Sequence, residues 1–442
     1  MKKWWPVVMI IVLLGIASAI IYPSSINQSD KDGKGEVTGQ IELTFIRNLG
    51  NDAFNQAYEE IIAAFEAKHP HIKINMQSMH WAHEYELRLR TELVAGNHPD
   101  IIAIDSPNLA LYANAGFLLS IDSYMKEAGY IEDIPKGLLN GLTYNDEIYL
   151  APIVEPSIAL FYNMNLFREN GVPFPPNDPN NPLTWDEVLE IAKKINNPEK
   201  GVIGIDPGQG FGGGEGPAYF KMPLLWQFGA EVLSPDATTA EGFLNSKEAL
   251  KALQFYQDLY QKHHVAAVEL PPYAFETDKL AMTVLGSWHI EELQKYPGFI
   301  LGEDFGVTPL PKAISQVAPN GGWALGISSK TNHPNEAWEF VKFATGKEGS
   351  EIFVEMTGDL PARFSVAQEI PKLNEYPQNI FIEQGQNHSK NRPVTPAYPV
   401  ISEAVKDLFE DVGKNGKDVK AAANEAVVKI NNSLNEMKNY KQ

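Results

Sequence analysis

The feature that most restricts the fold is the stretch from Ile41 to Asp105, where strand-like and helix-like patterns alternate within 65 residues. Ile41-Glu-Leu-Thr-Phe-Ile46 alternates and is rich in β-formers, which predicts a strand. Asn48 to Asp52 is turn chemistry. Ala53 to His69 carries Phe54, Ala57, Ile61, Ile62 and Phe65 at helical spacing, and Pro70 ends it. Ile72 to Met76 predicts a second strand, and Glu84 to Ala95 a helix closed by Gly96-Asn97. Asp100-Ile-Ile-Ala-Ile-Asp105 is then short and nearly continuously apolar, as strands buried on both faces of a parallel sheet are. Strand, helix, strand, helix, strand in this order is an α/β sheet.

The same grammar resumes later. Leu160 to Asn163, Val202 to Ile205, Leu280 to Leu285 and Phe305 to Thr308 read as strands. Thr184-Trp-Asp-Glu187 has the form of a capping box for the helix behind it. Ser246 to His263, Asn335 to Thr345 and Ser350 to Met356 read as helices, as does Ile401 to Lys438 with Gly413 and Gly416 interrupting.

Composition narrows the class. The chain has 442 residues, and the ~400 beyond its first forty exceed what one core usually holds, so two lobes or domains are expected. Against 36 basic residues stand 56 acidic ones, a formal net charge of −20. That field repels phosphate backbones and anionic lipid headgroups, so nucleic acid is not an expected partner. There are no cysteines, which excludes thiol catalysis, Cys-ligated zinc, iron–sulfur clusters, disulfides and a lipid-modified cysteine anchor.

Residues 1–22 direct the chain across a membrane. Met1-Lys2-Lys3 precedes an apolar run, which places the N-terminus inside and the bulk outside. Ala17-Ser18-Ala19 fits a signal-peptidase site, yet Ile20, Ile21 and Tyr22 continue the apolar run past it. From Trp4 to Tyr22 a helix would span roughly 28 Å, close to a bilayer core. An uncleaved anchor and a cleaved signal peptide are therefore both expected readings. Residues 23–40 are Ser, Asn, Asp, Lys and Gly with little to bury, a flexible tether.

Across nearly all of residues 41–442 the chain resembles the large bacterial solute-binding proteins of sugar-uptake ABC transporters, the maltose- and glycerol-phosphate-binding type. The resemblance rests on landmarks in order: Leu93-Val-Ala-Gly-Asn-His-Pro-Asp100 leading to Asp105; Tyr162-Asn163 opening a loop to Pro173; Thr184-Trp-Asp-Glu187; Gly286-Ser-Trp288; Gly321-Gly-Trp-Ala-Leu-Gly-Ile-Ser328; Asn335-Glu-Ala-Trp-Glu-Phe-Val341; and Pro361-Ala-Arg363. It implies a two-lobe α/β fold of the periplasmic-binding-protein type II, with ligand in a cleft between the lobes. By that analogy one lobe holds 41–153 plus 323–359 and the other 154–322 plus 360–442. Hinge closure around the ligand is the motion it implies. The implied partners are a carbohydrate and ABC permease subunits, with the binding protein itself a monomer. No catalytic residue, cofactor or metal is implied.

A sugar needs carboxylates, amides or guanidinium groups for its hydroxyls and flat aromatic rings for its CH face. Asp105, at the end of a buried strand, is a candidate contact, or else caps the turn from Pro107. Glu155, between Pro152 and Pro156 at a supposed crossing, either reaches ligand or makes a structural salt bridge. Trp288 follows a glycine that would let its ring stand clear into the cleft. Trp323 lies behind Gly321 and Gly322, where bare backbone can approach a ligand. Arg363 either clamps hydroxyls or pairs with an acid of the other lobe. Trp81, Trp226 and Asn48 complete the candidate set, and Tyr162 and Trp185 are assigned to packing. The family habit of an acidic residue soon after the first strand is not kept, since Asn48 and Asn51 stand there.

Gly208-x-Gly210-x-x-Gly213 matches a dinucleotide pattern by spacing only and reads as a glycine-rich loop with Pro217 opening the next helix. His80-x-x-His83-Glu84 lacks the order and third ligand of a zinc site. A glycoside-active enzyme would need two facing carboxylates, for which Asp105 and Glu155 are the nearest candidates. A surface sensor is the other alternative.

Overall fold

The computed structural model describes residues 39–79 and 83–439. The expected anchor, the tether up to residue 38, Trp81 and the His80 end of the histidine pair lie outside the described residues. Among the described residues no helix is long and apolar enough to cross a membrane.

The elements that place the site begin with β1 (Ile41–Asn48), α1 (Asp52–Lys68), β2 (Ile72–Met79), α2 (His83–Val94), β3 (Ile101–Asp105), β4 (Leu150–Pro152) and β5 (Ile158–Asn163). They continue with α3 (Trp185–Ile195), α4 (Gly216–Gln227), α5 (Lys247–Gln261), β6 (Met282–Gly286), β7 (Phe305–Thr308) and β8 (Trp323–Ile327). Last come α6 (Pro334–Ala344), α7 (Lys347–Thr357), α8 (Tyr398–Phe409) and α9 (Val419–Asn439).

Local chemistry sets the helix starts. The Asn51 side chain accepts the Phe54 N–H at 2.9 Å and opens α1. Thr184 and Glu187 form the reciprocal capping box that opens α3, and Ser246 caps α5. α1 then buries one stripe, Ala57, Tyr58, Ile61 and Phe65, whereas α4 is buried nearly all round.

Two sheets result. The first has the order β2-β1-β3-β8-β4, with β1 parallel to β2 and β3, and β8 antiparallel to β3 and β4. Its centre is β3, buried from Ile101 to Ile104, each full burial contributing about 1.5–3 kcal/mol for the larger side chains. The second sheet, β6-β5-β7, is antiparallel, with Ile158 opposite Gly286 and Asn163 opposite Phe305. One hydrophobic core packs around the first sheet with Trp338, Phe340 and Phe353 of α6 and α7. Another gathers residues from Ile158 to Ala318 and returns in α8 and α9, and a smaller cluster around Phe161, Phe305 and Phe381 adjoins the second sheet.

Val202–Ile205 departs from its expected strand. It makes only isolated bridges, Val202 to Asn197 and Ile203 to Leu280. Gly204 runs against α3, where a Cβ would lie 2.6 Å from the Ala192 carbonyl oxygen, and Pro207 has no N–H to extend a ladder. The C-terminal helix is broken as expected, by a π turn at Glu410–Lys414 and by Gly416 in the left-handed region.

Candidate functional site

β1 ends at Asn48 and β3 at Asp105, so their last side chains emerge at the same sheet edge. β8 enters antiparallel beside them, Trp323 opposite Asp105. A cavity of about 620 Å³ lies there, closed on its other side by α4, by residues after β6 and by Arg392. It falls within the usual range for ligand sites and sits outside the carboxyl ends of the strands, where open α/β sheets hold ligands.

Five sequence candidates meet around this cavity: Asn48, Asp105, Trp288, Gly322 and Trp323. Asn48 is 2% exposed and its Oδ1 has no hydrogen-bond partner. Gly321 has φ +82°, and a Cβ there would come within 2.5 Å of Ser106 Oγ; at Gly322 it would come as close to Pro156. The bare backbone at this wall is a steric requirement of the two crossing segments as well as an approach to the cavity. Trp288 lines the cavity in a different posture from the one expected. Its ring folds back over Gly286, where a Cβ would come within 2.2 Å of it, and packs against Tyr219 and Phe220 with centroids 6.2 Å away. The glycine provides the seat for the ring.

Three candidates lie elsewhere. Trp226 is buried in the core of α4, its ring face taken by the Lys390 ammonium at 5.5 Å, because all but the first residue of that apolar helix is packed. Glu155 and Arg363 line a separate pocket of about 20 Å³. The reason is the side-to-side alternation of extended chain: Val154 and Pro156 face the large cavity, and Glu155 between them faces away. The Asp105–Glu155 pair that a glycosidase would need therefore does not flank one cavity. Arg363 takes the other course the sequence offered, an ion pair. Its Nε donates to Asp133 at 2.7 Å, and its guanidinium lies 3.6 Å above the Tyr130 ring.

The centre of the site is a residue the sequence did not single out. Arg392 is 3% exposed and donates to Asp105 at 3.1 and 3.4 Å, to Glu215 at 2.7 Å and to the Gly321 carbonyl at 2.7 Å. Its guanidinium also lies over Tyr219, 4.9 Å from the ring centre. Burial alone would lower its pKa, but Asp105, Tyr398 and Glu215 hold it charged, well above the ordinary arginine value. Burial pushes Glu215 up from the ordinary value, opposed by Arg392 and by hydrogen bonds from Ser402 (2.6 Å) and Tyr398. Asp359, also on the cavity wall, is pushed up to about 7 by burial, against the hydrogen bond from Ser287 Oγ. Burial lowers His289 to about 4, so its ring is neutral near pH 7.

Glu215 and Gln209 arrive on the glycine-rich segment that mimicked a dinucleotide motif. That segment is a loop held from both sides. The Asp206 carboxylate accepts the Gly208 and Gly210 N–H groups at 3.3 and 3.0 Å, and buried Lys221 Nζ donates to the carbonyls of the same two residues at 3.0 and 2.7 Å. Gln209, with φ +54°, reaches the cavity beside His289. Pro217 opens α4, as the sequence indicated. An acidic Glu215 two residues before that proline was the available signal; Arg392 before Pro393 offered almost none.

Comparison with known proteins agrees with this architecture. A family model described as bacterial extracellular solute-binding protein matches residues 51–351. A multiple sugar-binding protein of Streptococcus mutans is 23% identical, covering 80% of this chain and 82% of that protein. A maltotriose-binding protein of Pyrococcus abyssi is also 23% identical, covering 85% and 77%. Among solved structures, an ABC transporter solute-binding protein from Thermotoga lettingae, bound with α-D-tagatose, has a TM-score of 0.77 at 26% identity, covering 89% of this chain and all of that one. UgpB from Mycobacterium tuberculosis, in complex with glycerophosphocholine, has a TM-score of 0.76 at 20% identity, covering 90% and 99%. The fold is the two-lobe one of ABC solute-binding proteins, and the chain belongs to the bacterial extracellular solute-binding protein family.

Proposed function

We propose that this protein captures a sugar or oligosaccharide outside the cytoplasm and delivers it to an ABC permease, binding without chemistry. The observation that carries this reading is the 620 Å³ cavity, which joins aromatic rings of Trp288 and Trp323 to the unpaired Asn48 carboxamide and several carboxylates. Rings suit the CH face of a sugar, and the acceptors suit its hydroxyls. The lobes are taken as 41–153 plus 323–359 and 154–322 plus 360–442, closing as a hinge around the ligand. The protein acts as a monomer, held at or released from the outer membrane face according to whether residues 1–22 stay attached.

Proteins of this fold bind ligands as unlike as tagatose and glycerophosphocholine, so the fold does not pick the ligand. A thermal-shift screen of residues 41–442 against mono-, di- and oligosaccharides, polyols and short peptides tests the reading. Ligand at ~100 times its dissociation constant adds roughly 2.7 kcal/mol. A saturable shift from one saccharide class, returned unchanged, is expected. Cleaved sugar would make the protein an enzyme, and a shift from peptides alone would remove the sugar. Trp288→Ala should weaken the saccharide by about tenfold or more.

A further inference from the structure

We infer that the cavity excludes ligands bearing a phosphate or carboxylate, because its guanidinium is already saturated by the protein itself. This rests on the binding reading above and narrows it to uncharged or cationic ligands. Arg392 is the only Lys or Arg among the described residues that line the cavity, and residues 80–82 contain neither. A guanidinium has five N–H groups. Those of Nη1 go to Glu215 and Asp105, and those of Nη2 go to Asp105 and the Gly321 carbonyl. The fifth, on Nε, is buried without a partner and sealed from solvent. An anion entering the cavity finds no free N–H on that guanidinium.

It also finds the wrong sign of charge. One buried cation faces two carboxylates at contact distance, and Glu292 adds a further carboxylate to the lining, with Asp359, pushed up to about 7 by burial, partly ionised beside it. His289 is neutral near pH 7 and supplies no compensation. The nearby buried ammonium of Lys221 is spent on the Gly208 and Gly210 carbonyls and is not part of the lining. Like charges in a partly buried site repel strongly because water screens them poorly. The remaining carboxyl groups of the lining are those of Glu292 and Asp359. Carboxylates without a free cation beside them suit hydroxyl or ammonium hydrogens.

Isothermal titration of the folded chain at pH 7 and low salt tests this with glucose, maltose and maltotriose beside glucose 6-phosphate, glucuronate and glycerol 3-phosphate. The anionic probes should bind at least about 100-fold more weakly than the best neutral saccharide. An anionic probe within tenfold of it, or binding alone, overturns the inference while leaving a solute-binding protein in place. Silence from every probe sinks the saccharide reading and leaves the exclusion of anions standing. Glu215→Met, which removes the acceptor from one arm of Arg392 and keeps about the same length, should raise glucuronate affinity at least tenfold while the melting curve shows a folded protein. Asp105→Leu does the same from the other side should the first variant not fold. No gain in either folded variant overturns guanidinium saturation as the cause.

Discussion

Two arginines held close to carboxylates face different spaces. Arg363 follows Pro361 and Arg392 precedes Pro393; each is nearly buried and each lies over a tyrosine ring. Arg363 meets one carboxylate beside a void of about 20 Å³. Arg392 meets two carboxylates beside a cavity of about 620 Å³. The first arrangement is neutral and closed, a structural clasp. The second carries surplus acid next to open volume, and surplus charge is what a ligand can sense. Residue type and neighbouring sequence do not distinguish the two; partners and void do.

The comparison breaks first at Arg392→Met. Among the described residues Asp105 takes hydrogen bonds from Arg392 alone, while Glu215 keeps Tyr398 and Ser402. Removing the cation strands a carboxylate, which typically costs about 3–5 kcal/mol when the pair is buried. Urea unfolding should show a loss of that order together with weakened ligand binding. A loss under about 1 kcal/mol would mean that water already serves both acids, and the contrast between the two arginines would collapse.

This asymmetry explains what the sequence could and could not say. Elements with strong periodicity or caps were legible: β3 from its apolar run, α3 from Thr184 and Glu187, α5 from Ser246 and its stripe. Side chains at strand ends were legible too, because Asn48 and Asp105 follow from where strands stop. Glu155 lines the rear pocket, and a proline-flanked segment does not reveal in sequence which way one residue points. Arg392 and Asp359 were missed because their roles come from contacts across more than seventy residues of chain, with Gly321, Asp105 and Ser287. Long-range partners leave no spacing to read.

The rear pocket sharpens the comparison through pH. Glu155 has no well-formed hydrogen bond to either carboxyl oxygen, and burial pushes it up to about 8 from an ordinary 4.5, with the Gly321 N–H and Arg392 opposing weakly. Between those values the folded protein holds a proton that the unfolded chain has released, so stability falls as pH rises from about 4.5 and levels off above about 8. The slope for one such group approaches about 1.4 kcal/mol per pH unit. Asp359 and Glu86, each near 7, act in the same direction, so the informative quantity is the difference from a variant. Glu155→Gln should flatten the stability curve between pH 5 and 8 (roughly the window set by these values) and leave a more stable protein on its alkaline side. Parallel curves for the two proteins across that window would place the Glu155 carboxyl in water.

The smallest effect belongs to Arg363→Ala. Asp133 would keep two donors, the Ser365 N–H at 2.8 Å and the Ser365 hydroxyl at 2.6 Å, and it is partly exposed. The variant gives up a guanidinium–Tyr130 contact of the kind worth about 0.5–2 kcal/mol and one ion pair that solvent partly replaces. A loss of about 1–2 kcal/mol in urea unfolding is therefore expected, with ligand affinity unchanged within about twofold because the residue faces the rear pocket. Calorimetry on the same variant decides between the two roles. An affinity loss of tenfold or more with stability intact would make Arg363 a ligand clamp, and the two arginines would then differ in degree instead of kind.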